Sequence, residues 1–328
     1  MTMGKFHKTV LVTGGTSGLG YEAAIRIAKQ RPDWLIVLGS RNANGAAERM
    51  NRKLHQDNVK FMALDLGSIE KVRAFAKLWT EAQHPPIQAL LLNAILHSMD
   101  KLDYTVDGFE RTFAISHIGH ALLLALLGPW MDKEARIVIT GSGVHDPAQK
   151  WFTPEARYES AEVLARPPKD THFTGPPGPS QYTATKLANV LWMYALDRRL
   201  RSTGEKHGRH WTVTQIDPGM LPGTGFVRSA GPVVRWIFNN ILGNMTPILR
   251  VFLHPRVFTT DKCGGELAAL AVDVKFAGKS GVYYEDLVEA KTSVDSYDEA
   301  KQEDLWKWTV ETLARDDKEK RLFECNFS

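Results

Sequence analysis

The chain has 328 residues, with 41 Lys and Arg against 37 Asp and Glu, a formal net charge of +4. A content of 43% hydrophobic and 24% charged residues is that of a folded soluble protein and excludes a disordered or collagen-like chain. Two cysteines, Cys263 and Cys325, are too few for a disulfide framework and form no CxxC pair, and the small scattered charge leaves no footprint for nucleic acid. No metal site is expected.

The segment Met1–Lys8 is short and basic and runs into apolar Thr9–Val12, too short for a signal-peptide core or a membrane span. A cytoplasmic location is therefore expected. Thr9–Val12 reads as the first buried strand, followed by Leu35–Leu38, Phe61–Leu64, Ala89–Leu92, Ile137–Thr140 and Thr212–Ile216. Between them lie helical periodicities over Tyr21–Gln30, Ile69–Glu81, Phe109–Leu127 and Thr183–Leu200. Near-continuous apolar strands separated by helices predict an α/β fold: one Rossmann domain, with a doubly wound parallel sheet and helices on both faces. Two regions interrupt the alternation: the Pro- and Gly-rich stretch 143–181 and the apolar stretch 227–258. Such insertions are expected at the carboxyl edge of the sheet, where ligands bind.

The first strand runs into Thr13-Gly14-Gly15-Thr16-Ser17-Gly18-Leu19-Gly20, and an amphipathic helix follows. In this arrangement Gly14 permits the tight turn, Gly18 lets backbone approach a pyrophosphate, and Gly20 allows close packing of helix on strand. A site for NAD would carry a carboxylate after the second strand, to bind the ribose hydroxyls. Here that strand leads to Ser40 and Arg41, a hydroxyl and a guanidinium suited to a 2′-phosphate. The expected cofactor is NADP(H).

Tyr182 and Lys186 lie four apart at the opening of a helix and so share one face. A free phenol titrates near pH 10, and a neighbouring ammonium that stabilises the phenolate turns it into a usable general acid or base. Ser142, just after the strand Ile137–Thr140, completes a catalytic set.

With these residues the sequence resembles the short-chain dehydrogenase/reductase family over nearly its whole length, and within it the branch of retinol dehydrogenases and protochlorophyllide reductases. Thr13–Gly20 matches the cofactor loop, with Gly14, Thr16, Ser17, Gly18, Leu19 and Gly20 as its contacts. Asp65 and Leu66 match the pair that caps the adenine pocket, and Asn93-Ala94 stands in the segment beneath the nicotinamide half. Ser142 matches the serine that hydrogen-bonds the substrate oxygen, and Tyr182 the acid. Lys186 matches the lysine that lowers the pKa of the tyrosine and binds the nicotinamide ribose. Pro218-Gly219 matches the turn beside the nicotinamide, with Thr224 near the position that contacts its carboxamide. The resemblance implies hydride transfer from the nicotinamide to a carbonyl carbon. Two positions depart from the pattern: Ile95 replaces a glycine, and Ser116 stands where the catalytic asparagine holds a relay water. They leave open a reaction without net redox (an isomerase or lyase), the reduction of a conjugated C=C bond, and a regulatory role.

The apolar content of both insertions, with Trp151, Phe152, Tyr158 and Phe173 in one and Trp236, Ile237 and Phe238 in the other, suggests a mouth for a bulky apolar carbonyl compound of secondary metabolism. Pro167-Pro168 and the prolines of Gly175–Pro179 point to a shaped loop and not a helix extension. The second insertion is expected to form a substrate lid, with contact to a membrane surface as the alternative. The apolar helices Phe109–Leu127 and Thr183–Leu200 suggest a homodimer. His117-Ile118-Gly119-His120 spells a nucleotide-binding tetrapeptide in the wrong setting and is expected to serve packing. The tail Cys325-Asn326-Phe327-Ser328 formally fits a prenylation box.

Overall fold

In the computed structural model, which describes residues 5–98, 101–221 and 255–326, the apolar runs pair into one eight-stranded sheet. Its strands are β1 (Lys8–Thr13), β2 (Trp34–Ser40), β3 (Val59–Ala63), β4 (Ile87–Leu92), β5 (Met131–Thr140), β6 (Thr212–Asp217), β7 (Val282–Glu285) and β8 (Val288–Ala290). The order is β3-β2-β1-β4-β5-β6-β7-β8; β1 to β7 are parallel, and β8 closes the edge as an antiparallel hairpin partner of β7. After β3 the chain crosses to the other side of β1, so the strand order reverses between β1 and β4. In such sheets the crevice at the carboxyl ends of those two strands is where ligands bind.

Both faces of the sheet are covered, which is why its central strands are apolar throughout. One layer holds α1 (Gly18–Gln30) and α2 (Ala46–Leu54), together with the later helix Thr260–Val272. The other holds α3 (Ile69–Ala82), the segment α4 (Arg111–Phe113) and α5 (Gly119–Leu127), the short α6 (Ala161–Ala165) and the long α7 (Pro177–His207). The Thr260–Val272 helix is α8, and α9 (Glu299–Leu313) and α10 (Asp317–Phe323) follow. Neither α2 nor the β7–β8 hairpin is among the expected elements. α2 buries only Ala46, Ala47 and Met50, too narrow a stripe to read from pattern.

The sequence expects one helix over Phe109–Leu127; the structure interrupts it with a π turn at Ala114–Ile118. Such turns widen the helix locally and are frequent at functional sites. The stretch Arg111–Trp130 is long and apolar enough to cross a membrane by composition, but it lies in the protein interior, with Leu122, Leu123 and Leu127 wholly buried.

The structure bears on three features of the sequence and corrects the first. The first concerns the Pro-rich end of the 143–181 insertion, which is a helix extension after all: α7 starts at Pro177, five residues before Tyr182. Proline is tolerated in a first turn because the N–H it lacks has no partner there anyway. Within the same insertion Tyr158 faces inward and donates to Asp304 Oδ2 at 2.6 Å, so it braces α9 and does not line a mouth.

The second concerns the surfaces offered for a homodimer. α9 and α10 of the same chain cover them: Trp306, Leu313 and Phe323 pack in one cluster with Leu124, Leu196 and Leu200. Arg199 stacks 4.0 Å from the Trp306 ring centroid and pairs with Glu303 at 2.7 Å. The third concerns Cys325, which is 5% exposed within this cluster. A lipid could reach its sulfur only if α10 unpacked.

Candidate active site

The loop between β1 and α1 is shaped by its glycines. Gly14 and Gly18 have φ of +68° and +57°, the left-handed region that favours glycine. At Gly20 a Cβ would come within 2.6 Å of both Asn93 Nδ2 and the Gly14 carbonyl oxygen, so only glycine lets α1 sit this close to β4. At Gly18 a Cβ would meet nothing within 4 Å; the backbone there borders open space. No acidic residue lies in the first turn of α1, leaving its positive end available to phosphate. This cradle fits a pyrophosphate.

Apart from Tyr182 and Lys186, each of the other expected cofactor residues in the described chain sits at or just after the carboxyl end of a strand. Half-buried Ser40 ends β2, with exposed Arg41 next to it. Asp65 and Leu66 follow β3. Burial raises the Asp65 carboxyl, but the Lys71 ammonium at 2.9 Å and the Gly67 N–H at 3.1 Å outweigh it and hold the group below the usual range. Leu66 packs where Gly119 opens α5, so close that a Cβ on Gly119 would lie 2.9 Å from its side chain.

Asn93 and Ala94 follow β4, and Thr13 at the end of β1 holds both: its Oγ1 accepts from their N–H groups at 2.8 and 3.0 Å. Pro218 and Gly219 follow β6; Gly219 has φ of +67° and donates to Asp217 Oδ1 at 2.8 Å. Ile95, 39% exposed, is the next residue along from Ala94. Thr224 and most of the 227–258 insertion lie outside the described residues.

Ser142 follows β5, and Tyr182 and Lys186 lie on the first turns of α7. The structure brings the three together. The Ser142 side chain lies near enough to the Tyr182 phenol to lower it, and Lys186 Nζ lies 5.7 Å from the Tyr182 ring centroid. Lys186 is fully buried and donates to the Thr140 carbonyl oxygen at 2.8 Å. Burial pushes its ammonium down to about 7, against the pull of the Asp217 carboxylate. Burial also raises the Tyr182 phenol above its ordinary value. Against that, the Ser142 hydroxyl lowers the resting phenol, while the Lys186 ammonium near the ring is held by the Thr140 carbonyl.

Ser116 lies within the π turn. Its hydroxyl is buried and has no hydrogen-bond partner among the described residues, an unusual state for a buried polar atom and one that a bound water would relieve.

Several site residues escape sequence reasoning. Arg256 pairs with the buried Asp217 at 2.9 Å and also with Glu285, linking the ends of β6 and β7. Burial raises the Asp217 carboxyl, and Arg256 opposes that. A Cβ on Gly143, the residue after Ser142, would lie 2.8 Å from Asp217 Oδ2 and 2.6 Å from Trp151 Nε1. The Ser142 loop therefore rests directly on this cluster. His145 Nδ1 lies 2.8 Å from the Ser142 carbonyl oxygen. A carbonyl only accepts, so Nδ1 carries the proton, and Nε2 accepts from the Ser293 N–H at 3.3 Å. His97 packs edge-on against Tyr182, with ring centroids 4.6 Å apart. No spacing rule connects residues this far apart in the chain; the one available signal is a carboxylate, Asp217, closing the strand Thr212–Asp217.

The family model for short chain dehydrogenase matches residues 8–154, and that for the AcuH dehydrogenase domain matches residues 227–321. The short-chain dehydrogenase TIC 32 A, chloroplastic, of Brassica napus is 30% identical over 76% of this chain and 77% of its own. The polyprenol dehydrogenase of Danio rerio is 28% identical over 92% of this chain and 85% of its own. The chain spans 66% of the length of the WW domain-containing oxidoreductase of Gallus gallus, at 26% identity. Among solved structures, the angucycline C-6 ketoreductase LanV with bound NADP superposes with a TM-score of 0.58 at 18% identity, covering 86% of this chain and 95% of that one. Sheet order, glycine loop and these similarities agree: the chain belongs to the short-chain dehydrogenase family of oxidoreductases.

Proposed function

We propose that the protein reduces the carbonyl group of a bulky apolar compound with NADPH. The observation that carries the reading is the convergence of the Ser142 side chain, the Tyr182 phenol and the buried Lys186 ammonium. When bound, NADPH supplies the hydride. Gly14, Thr16, Ser17, Gly18, Leu19 and Gly20 would hold its pyrophosphate. Asp65 and Leu66 would border the adenine, and Asn93, Ala94, Pro218 and Gly219 the nicotinamide half, with Lys186 on the ribose.

The residues of the chain then manage the substrate oxygen. Ser142 donates a hydrogen bond to it and orients the carbonyl toward Tyr182. The Tyr182 phenol gives up its proton as negative charge develops on that oxygen. Burial keeps the phenol protonated at rest, and the charge developing on the substrate oxygen supplies the drive for its proton. The ammonium of Lys186 would stabilise the phenolate left behind, and a water held by the Ser116 hydroxyl would return the proton.

Ser40 and Arg41, with no carboxylate at the end of β2, favour a 2′-phosphate over a ribose diol, and LanV is a solved neighbour with bound NADP. The apolar substrate class rests on Ile95 and on Phe152, 39% and 80% exposed. It also rests on similarity to a polyprenol dehydrogenase and to an angucycline ketoreductase.

The test measures NADPH and NADH oxidation with a panel of large and small ketones, aldehydes and enones. Oxidation of NADPH with large ketones, and a Michaelis constant for NADPH raised much more than that for NADH by Arg41→Ala, are expected. Product formation without oxidation of the nicotinamide would replace the reading with a reaction lacking net redox.

A further inference from the structure

We infer that His120 is a positioning residue that ties the Ser116 turn to the dinucleotide loop and thereby sets the affinity for NADPH. The inference rests on the NADPH reading above. His120 is buried at the start of α5, with Nδ1 at 3.2 Å from the Ser116 carbonyl oxygen and Nε2 at 2.9 Å from Thr13 Oγ1. A carbonyl oxygen can only accept, so Nδ1 carries the proton. Burial, reinforced by the nearby Lys186 charge and opposed by the bond to Ser116, lowers the imidazole to about 4. At neutral pH the ring is therefore neutral, and Nε2 is an acceptor. The donor that faces it is the Thr13 hydroxyl.

That assignment completes the account at Thr13. Its oxygen accepts from the N–H groups of Asn93 and Ala94, and its single proton has two acceptors within reach. Leu91 O lies at 3.1 Å and His120 Nε2 at 2.9 Å. From Asn93 the network continues: Nδ2 donates to the Thr13 carbonyl at 2.9 Å, and Oδ1 accepts from Thr140 Oγ1 at 3.2 Å. Thr140 in turn accepts from Lys186 through its carbonyl. A buried chain of hydrogen bonds thus runs from Ser116 through His120, Thr13, Asn93 and Thr140 to Lys186. It crosses the carboxyl ends of β1, β4 and β5, beneath the place assigned to the nicotinamide. A leucine at position 120 would fill the space equally well, but it would leave the Ser116 carbonyl without this donor and turn the Thr13 proton to Leu91 alone.

Titration of the full chain with NADPH, followed by nicotinamide fluorescence, tests this on His120→Leu, His120→Gln and Thr13→Val, with thermal unfolding in parallel. Glutamine can place Oε1 near the Nε2 position and accept from Thr13. The expected result is about tenfold weaker NADPH binding for His120→Leu and Thr13→Val, the loss of one buried hydrogen bond. His120→Gln should bind close to wild type, and the double variant His120→Leu/Thr13→Val should be no weaker than the weaker single one. Wild-type affinity in a folded His120→Leu, or additive losses in the double variant, would overturn the inference and leave His120 a packing residue. If His120→Leu does not fold, unchanged affinity in Thr13→Val overturns it equally. A wild-type protein that fails to bind NADPH would instead refute the functional reading, and this inference with it.

Discussion

Lys186 Nζ lies 2.8 Å from the carbonyl oxygen of Thr140, two residues before Ser142. The ammonium is thus anchored to the strand that carries the serine, although it stands on α7. Strand end and helix start cannot shift independently without breaking a buried charge-assisted bond, so Ser142, Tyr182 and Lys186 keep one geometry.

The same burial makes Lys186 titratable in the working range. With its ammonium pushed down to about 7, the group is charged below that pH and neutral above it. An anionic cofactor favours the charged form, so NADPH binding should weaken as pH rises from 7 to 9 and take up a proton there. Calorimetry in buffers of different ionisation enthalpy measures that proton. In Lys186→Met the affinity should be lower and its dependence on pH flatter; an unchanged slope would remove Lys186 from the cofactor site.

Arg256 holds two carboxylates, Asp217 and Glu285, and Asp217 is wholly buried. Arg256→Met strands a buried charge, which typically costs about 3–5 kcal/mol. Urea unfolding should show a loss of that order. Adding Asp217→Asn, which removes the stranded charge, should recover much of it. A double variant no more stable than Arg256→Met would mean that the side-chain packing of Arg256, not its charge, secures the cluster.

How much of this was legible beforehand follows from the range of the interactions. The glycine loop, the strands and the Tyr182/Lys186 spacing are local patterns, and each sits on the element expected for it. The parallel sheet with helices on both faces followed from alternation of strand and helix, whereas its strand order did not. The Pro177–Pro179 turn misled because proline breaks helices in their interior but opens them at their first turn. The covering of α5 and α7 by α9 and α10 was hidden because those helices bury mixed faces, with Gln302 and Thr309 among the interior residues. His120 was dismissed for the tetrapeptide it spells. Its partners, Thr13 and the Ser116 backbone, become visible only once β1 and the π turn are placed side by side.

Four buried histidines, His97, His117, His120 and His145, make the fold sensitive to acid, since burial lowers each of them. Burial lowers His97 and His120 to about 4 and His117 to about 3, with the neighbouring His120 adding to the shift of His117. The unfolded chain takes up these protons below pH 6.5 while the folded chain does not. Stability should therefore fall as pH drops from 6.5 to 4, by up to about 1.4 kcal/mol per pH unit for each histidine. His117→Gln should make the fall shallower in denaturant titrations across that range. An identical slope would assign the acid sensitivity to other groups.

Because α9 and α10 cover the apolar faces of α5 and α7, the chain has no need of a second copy to bury them. Sedimentation at micromolar concentration should give a monomer. Trp306→Ala, which removes the ring under Arg199, should lower stability without creating a stable dimer. A wild-type dimer would require an interface elsewhere on the surface.

The central claim is hydride transfer to a carbonyl carbon with Tyr182 as the acid, and transfer of deuterium tests it most directly. Wild-type protein is incubated with NADPH carrying deuterium at the reactive nicotinamide carbon and with a bulky ketone that it consumes, and the alcohol is analysed by mass spectrometry and NMR. The account expects deuterium on the carbinol carbon. It also expects Tyr182→Phe to bind NADPH as tightly as wild type while forming this product about 10²–10⁴-fold more slowly, the usual contribution of a general acid. Product without deuterium, or a Tyr182→Phe variant as fast as wild type, would contradict it.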